Sequence, residues 1–136
     1  MARTNRLFDA SVDTIEKAKE SAVALMEDTV SVDALDLFYS DNLEYIENGI
    51  KKLNDYSNKS WLVSAILLFS IIYDKTLYQQ SNLTWAEYSK QSRERLGLDP
   101  RDITEQLSAA RFFIKNHKEL QRQGFNPVGS NRKLAR

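Results

Sequence analysis

The stretch Trp61-Leu62-Val63-Ser64-Ala65-Ile66-Leu67-Leu68-Phe69-Ser70-Ile71-Ile72-Tyr73 decides how the chain folds. Only Ser64 and Ser70 interrupt its apolar residues. A helix that is apolar nearly all round has no side to offer water, so it belongs at the centre of a bundle. The alternative is an interface between subunits, should the remaining helices fail to cover it. The run is too short to span a bilayer, which takes roughly 20 apolar residues. We read it as part of a helix over residues 60–78, opened by Ser60.

What surrounds this helix is also helical. The chain has 136 residues with four Gly and two Pro, too few for a turn-rich β-protein. That length suits a single domain with its own core. Upstream, residues 9–27 carry Val12, Ile15, Ala22, Leu25 and Met26 at helical spacing. A second helix is expected over residues 31–56, N-capped by Ser31. Its apolar positions are Leu35, Leu37, Phe38, Leu43, Ile46, Ile50 and Leu53, and Gly49 weakens or bends it. Downstream, Thr84-Trp85-Ala86-Glu87 has the pattern of a capping box and starts a fourth helix that ends at Gly97. A fifth begins at once, with Asp99 as N-cap, Pro100 in the first helical position and Asp102 in the first turn. It runs to Gln123 and stops at Gly124. The expectation is an all-α, compact bundle of about five helices with a helix-turn-helix-like pair at its C-terminal end. Residues 1–124 form one domain, divided into an acidic helical half (1–58) and a half (60–124) holding the apolar helix and the pair. Residues 125–136, with Arg132, Lys133 and Arg136, make a mobile basic tail.

Charge is zero overall but divided along the chain. Residues 1–60 carry seven Lys/Arg against twelve Asp/Glu, and residues 61–136 carry twelve against seven. Two surfaces of opposite sign follow, and the basic one suits a polyanion. The basic residues are also ordered. Arg101, Thr104, Ser108, Arg111, Lys115, Lys118 and Arg122 follow a 3-4 spacing along one side of the fifth helix. Ile103, Leu107, Ala110, Phe113, Ile114 and Leu120 occupy another. Cations and hydroxyls in a row match phosphate oxygens, and Arg near a helix start can reach guanine edges. A plain solvated face, with Lys and Arg favouring the helix C-terminus, accounts for the same pattern. Asp99, Asp102 and Glu105 count against phosphate at the helix start. Phe112 projects toward the polar side.

Leu83-Thr84-Trp85-Ala86-Glu87-Tyr88, then Arg95-Leu96-Gly97-Leu98, then Ile103 and Leu107 form a recognisable sequence of features. This segment, about residues 83–114, resembles a helix-turn-helix region of phage- and plasmid-type DNA-associated proteins. It departs from that pattern at Asp99-Pro100, where the second helix usually starts with a small polar residue, and at Arg93, where a small residue is usual. The resemblance implies DNA binding by the basic face of the last helix. Arg93, Arg95, Arg101, Arg111, Lys115 and Lys118 would contact phosphate, and Arg101 and Thr104 would see base edges. Ser108 and Arg122 complete the stripe. A homodimer on paired half-sites is the expected assembly.

Catalytic chemistry finds no residues here. There is no Cys and one His, His117, which lies within the apolar arc of the fifth helix. One chain thus supplies no triad, no His-based zinc site and no Cys–His pair. The carboxylates Asp33, Asp36, Asp41, Glu44 and Glu47 lack the Glu-x-x-His pairs of di-iron bundles. No Gly-rich phosphate loop occurs. The expectation is a non-enzymatic DNA-binding or regulatory protein that needs neither cofactor nor metal. Basic residues at the N-terminus have no apolar stretch behind them, so no signal peptide is expected and a cytoplasmic location follows. The rival reading is a protein-interaction module (an adaptor, inhibitor or complex subunit) whose acidic helices, through Asp33, Asp36 and Glu44, engage a basic partner.

Overall fold

A computed structural model describes residues 11–25, 34–55 and 61–124. Its seven α-helices, counted among the described residues, are α1 (Val12–Leu25), α2 (Ala34–Tyr39), α3 (Leu43–Asp55), α4 (Trp61–Phe69), α5 (Trp85–Lys90), α6 (Ser92–Leu96) and α7 (Pro100–Arg122). A π-helical turn, Ser70–Asp74, continues α4, and a 3-10 turn, Leu77–Ser81, follows it. No described residue lies in a strand. The fold is an all-α bundle.

The apolar run is its axis. Every residue from 61 to 72 is at most 7% exposed. Helix α4 packs most extensively on α7, then on α3 and α1. The run is therefore a core within one chain, and no second subunit is needed to cover it. Removing such surface from water is the main favourable term in folding. One polar ring crosses this core. Asn54 Nδ2 donates to Ser64 Oγ at 2.7 Å, Ser64 Oγ donates to Gln106 Oε1 at 3.0 Å, and Gln106 Nε2 donates back to Asn54 Oδ1 at 3.1 Å. It ties α3, α4 and α7 in register, since the buried Gln106 amide is paired with side chains of both other helices.

Several boundaries differ from the sequence expectation, each for a local reason. The helix expected over residues 31–56 is two. Asn42 Oδ1 accepts from Tyr45 N, Ser40 Oγ accepts from Asn42 N, and Lys75 Nζ donates to Phe38 O and Ser40 O, so side chains cap both helix ends at the break over residues 40–42. The break turns Leu35 outward, 42% exposed, rather than into the core. Val12, in the first turn of α1, is 72% exposed and not part of the buried stripe. Ser11 caps α1, accepting from Thr14 N. The helix over residues 60–78 stops early: Lys75 N and Thr76 N both donate to Ser70 O, and Thr76 then takes a left-handed φ of 50°. The helix from Thr84 to Gly97 is interrupted at Gln91. The expected caps at Ser31 and Ser60, and the tail at 125–136, lie outside the described residues.

Two buried charge clusters fasten the bundle. Lys19, 3% exposed, reaches Glu16 and Asp74 at 2.8 Å each, while Ser70 Oγ donates to the same Asp74 oxygen. Across the molecule, Glu47 Oε2 accepts from Tyr88 Oη at 2.6 Å and from Arg95 Nη1 at 3.2 Å. Arg95 also lies over the Tyr88 ring, 5.2 Å from its centroid. Burial lowers the Lys19 pKa, but the hydrogen bonds and charges of Asp74 and Glu16 outweigh it and the net shift is upward. Burial, then donation to the Glu47 carboxylate, pushes the Tyr88 hydroxyl up as well.

Both groups hold their protons to higher pH in the fold than in the unfolded chain, where the ordinary values are 10.5 and 10.0. Their contribution to stability is full below those values and is lost as pH climbs through the raised ones. We expect the urea midpoint to fall steadily above about pH 10. Tyr88→Phe, which has no proton to lose there, should show a shallower fall. A midpoint independent of alkaline pH would contradict the assignment.

Candidate nucleic-acid interface

The C-terminal pair is built by caps. Thr84 Oγ1 accepts from Glu87 N while Glu87 returns a bond to Thr84 N, so α5 starts as the sequence pattern implied. Donation to the carboxyl from Thr84 N, and then from Thr84 Oγ1 at 3.1 Å, holds Glu87 below its ordinary pKa. Tyr78, Trp85 and Tyr88 pack ring on ring beneath it. Helix α6 ends at Gly97, whose φ of 70° suits a residue without a side chain. Asp99 then opens α7, accepting from Asp102 N at 2.9 Å, with Pro100 in the first turn. Glu47, by gripping Tyr88 and Arg95, fixes this pair to α3.

The turn sets cations on either side of one carboxylate. Asp99 has a lowered pKa, first through the Asp102 amide and then through the Arg101 amide and the nearby charges of Arg93 and Arg101. Arg93 on α6 and Arg101 on α7 thus flank the same turn, and both are exposed. Farther along α7, Lys115 and Lys118 are exposed. Thr104 is exposed, with its hydroxyl donating to Pro100 O at 3.1 Å, and Ser108 is half-buried. Lys118 also rims a shallow concavity between α1 and α7, with Lys17 and Glu20 opposite.

Three expected contacts are otherwise engaged. Arg95 is spent on Glu47, on Gln91 Oε1 at 2.8 Å and on the Tyr88 ring. Arg111 is half-buried: its Nη2 donates to Tyr73 Oη at 2.7 Å and its guanidinium sits 4.9 Å from that ring centroid. Arg122 pairs with Glu119 one turn before it. The 3-4 spacing that put Arg111 in the stripe cannot reveal a tyrosine arriving from the end of the π turn. Lys90, exposed on α5, was not among the expected contacts, though it lies in the same basic stretch as Arg93. His117 is 4% exposed, with Nδ1 bonded to Ile114 O at 3.1 Å and its ring against Phe113. Phe112 is half-buried.

Among the described residues, no helix is long and apolar enough to cross a membrane. Comparison of the chain with protein-family models, curated proteins and solved structures finds no match in any of the three.

Proposed function

We propose that this protein binds nucleic acid, duplex DNA in the first place, as a regulatory rather than a catalytic protein. The observation that carries the reading is the outward side of α7. Arg101, Thr104, Lys115 and Lys118 are exposed along it, with Arg93 beside its start. Phosphate oxygens need donors of this kind at helical spacing, and a capped helix after a glycine turn is the unit that presents them to a groove. Arg95 and Arg111 support the interface from behind, by fixing α6 and α7, rather than touching phosphate. The acid at the turn favours contact along the middle of α7 over insertion of its N-terminus. A homodimer in the cytoplasm, with one α7 on each half-site, is the assembly that fits a short reading unit.

The test is binding of a labelled random-sequence duplex across a salt series. Arg101→Glu/Lys118→Glu serves as the variant because both positions are exposed and neither holds the core. Micromolar binding by the native chain should weaken steeply with salt, as released counterions require. The variant should lose at least about tenfold at low salt. Equal binding by the two proteins, or none by either, would end the DNA reading.

A further inference from the structure

Helices α2 and α3 carry a second surface. Helix α2 turns Ala34, Leu37 and Phe38 into the core and leaves Leu35 and Tyr39, one turn apart, pointing outward. They are 42% and 65% exposed. Tyr45, in the first turn of α3, is 43% exposed and donates to Asp36 Oδ2 at 2.5 Å, which joins the outward sides of the two helices. Four large hydrophobic side chains are exposed among the described residues, and three of them are these. Scattered apolar residues on a surface need no explanation, whereas a cluster on one corner marks a contact face.

Its charge selects the partner. Asp36, Asp41 and Glu44, on the same two helices and the turn between them, are exposed. Lys75 lies at the edge, 27% exposed, but its ammonium is turned onto the carbonyls of Phe38 and Ser40 and lies 3.6 Å from Asp41. Carboxylates in this number repel phosphate, so the surface does not extend the proposed DNA interface. We infer that the α2–α3 corner docks a basic, amphipathic helical segment of a partner protein. Leucine-type side chains of that segment would lie along Leu35 and Tyr39. Its arginines would pair with Asp36, Asp41 and Glu44 and stack on the tyrosine rings. This inference does not rest on the nucleic-acid reading, since it uses other residues on other helices.

The test uses a labelled amphipathic peptide of Arg and Leu, with a control in which Glu replaces each Arg. Fluorescence anisotropy should give saturable binding of the Arg peptide and none of the control. Leu35→Ala/Tyr39→Ala, at two exposed positions, should keep the native circular dichroism and weaken binding about tenfold. Asp36→Lys/Asp41→Lys should do the same, while Arg101→Glu/Lys118→Glu leaves it unchanged. Binding that follows the charge variant but ignores the Leu35/Tyr39 variant would be mere ion attraction and would overturn the proposal. So would sedimentation showing a dimer that the Leu35/Tyr39 variant dissociates, because the face would then join two copies of this chain.

Discussion

Arg95→Met is expected to lower the free energy of unfolding by about 3 kcal/mol, read as a shift of the urea midpoint with an unchanged slope. The reason lies in what Arg95 leaves behind. Glu47 has a side chain only 8% exposed, and its Oε2 has two donors, Tyr88 Oη and Arg95 Nη1. Taking away the cation while the carboxylate stays buried removes the compensating charge, which is costlier than losing a surface pair. The 28% exposure of Arg95 lets water offset part of this, and holds the expected cost at the low end of the range for buried pairs. Methionine keeps the length and the packing over the Tyr88 ring, so the effect isolates charge from volume. Glu47→Gln in the same chain removes the stranded charge and should recover about half of the loss. A phosphate-contacting Arg95 would behave differently: Arg95→Met would weaken DNA binding and leave the urea midpoint where it was.

That contrast marks where the sequence was readable and where it was not. Caps are local, and they were legible: Thr84 with Glu87, Gly97, and Asp99 with Pro100 each stand where three or four neighbouring residues required. Burial of residues 61–72 was legible too, because a run without polar sides must leave water, but whether within one chain or between two was not. The break at residues 40–42 was not. Its side-chain caps sit inside a window whose apolar spacing still reads as one helix, and the lysine that seals it, Lys75, comes from far along the chain. The candidate site suffered from the same limit. Helical periodicity assigns a residue to a side of its own helix, and Arg111 is indeed at the margin of the polar side. Whether its guanidinium faces solvent depends on Tyr73, 38 residues away. Arg93, Arg101, Lys115 and Lys118, read from the same kind of pattern, are exposed. Seen from sequence, cations that brace a fold and cations that face a ligand look alike.

Gly49 raises the same question with a measurable sign. Read from the sequence, a glycine inside a helix weakens it, and a side chain there would be worth a few tenths of a kcal/mol. The structure gives a different reason for glycine. A Cβ at position 49 would lie 2.5 Å and 2.7 Å from the two methyls of Leu37 and 3.1 Å from its Cγ. Leu37 is 2% exposed and has nowhere to retreat, so α2 and α3 touch through the missing side chain. Gly49→Val is therefore expected to destabilise by about 2–3 kcal/mol, overpacking outweighing the propensity gain. Leu37→Ala alone should cost about 2–5 kcal/mol through the cavity it leaves. In the double variant the valine occupies that cavity, and the combined loss should fall short of the sum by at least about 1 kcal/mol. Strict additivity would mean that the two helices do not meet there, and a stabilising Gly49→Val would restore the propensity reading. The outcome reaches beyond stability, because the same contact sets the angle at which α2 presents Leu35 and Tyr39. If it holds, Gly49→Val should also weaken the Arg/Leu peptide without altering any residue on the outer face. It should leave DNA binding through α7 intact, because Arg101, Lys115 and Lys118 are held by the packing of α7 on α4 and not by α2.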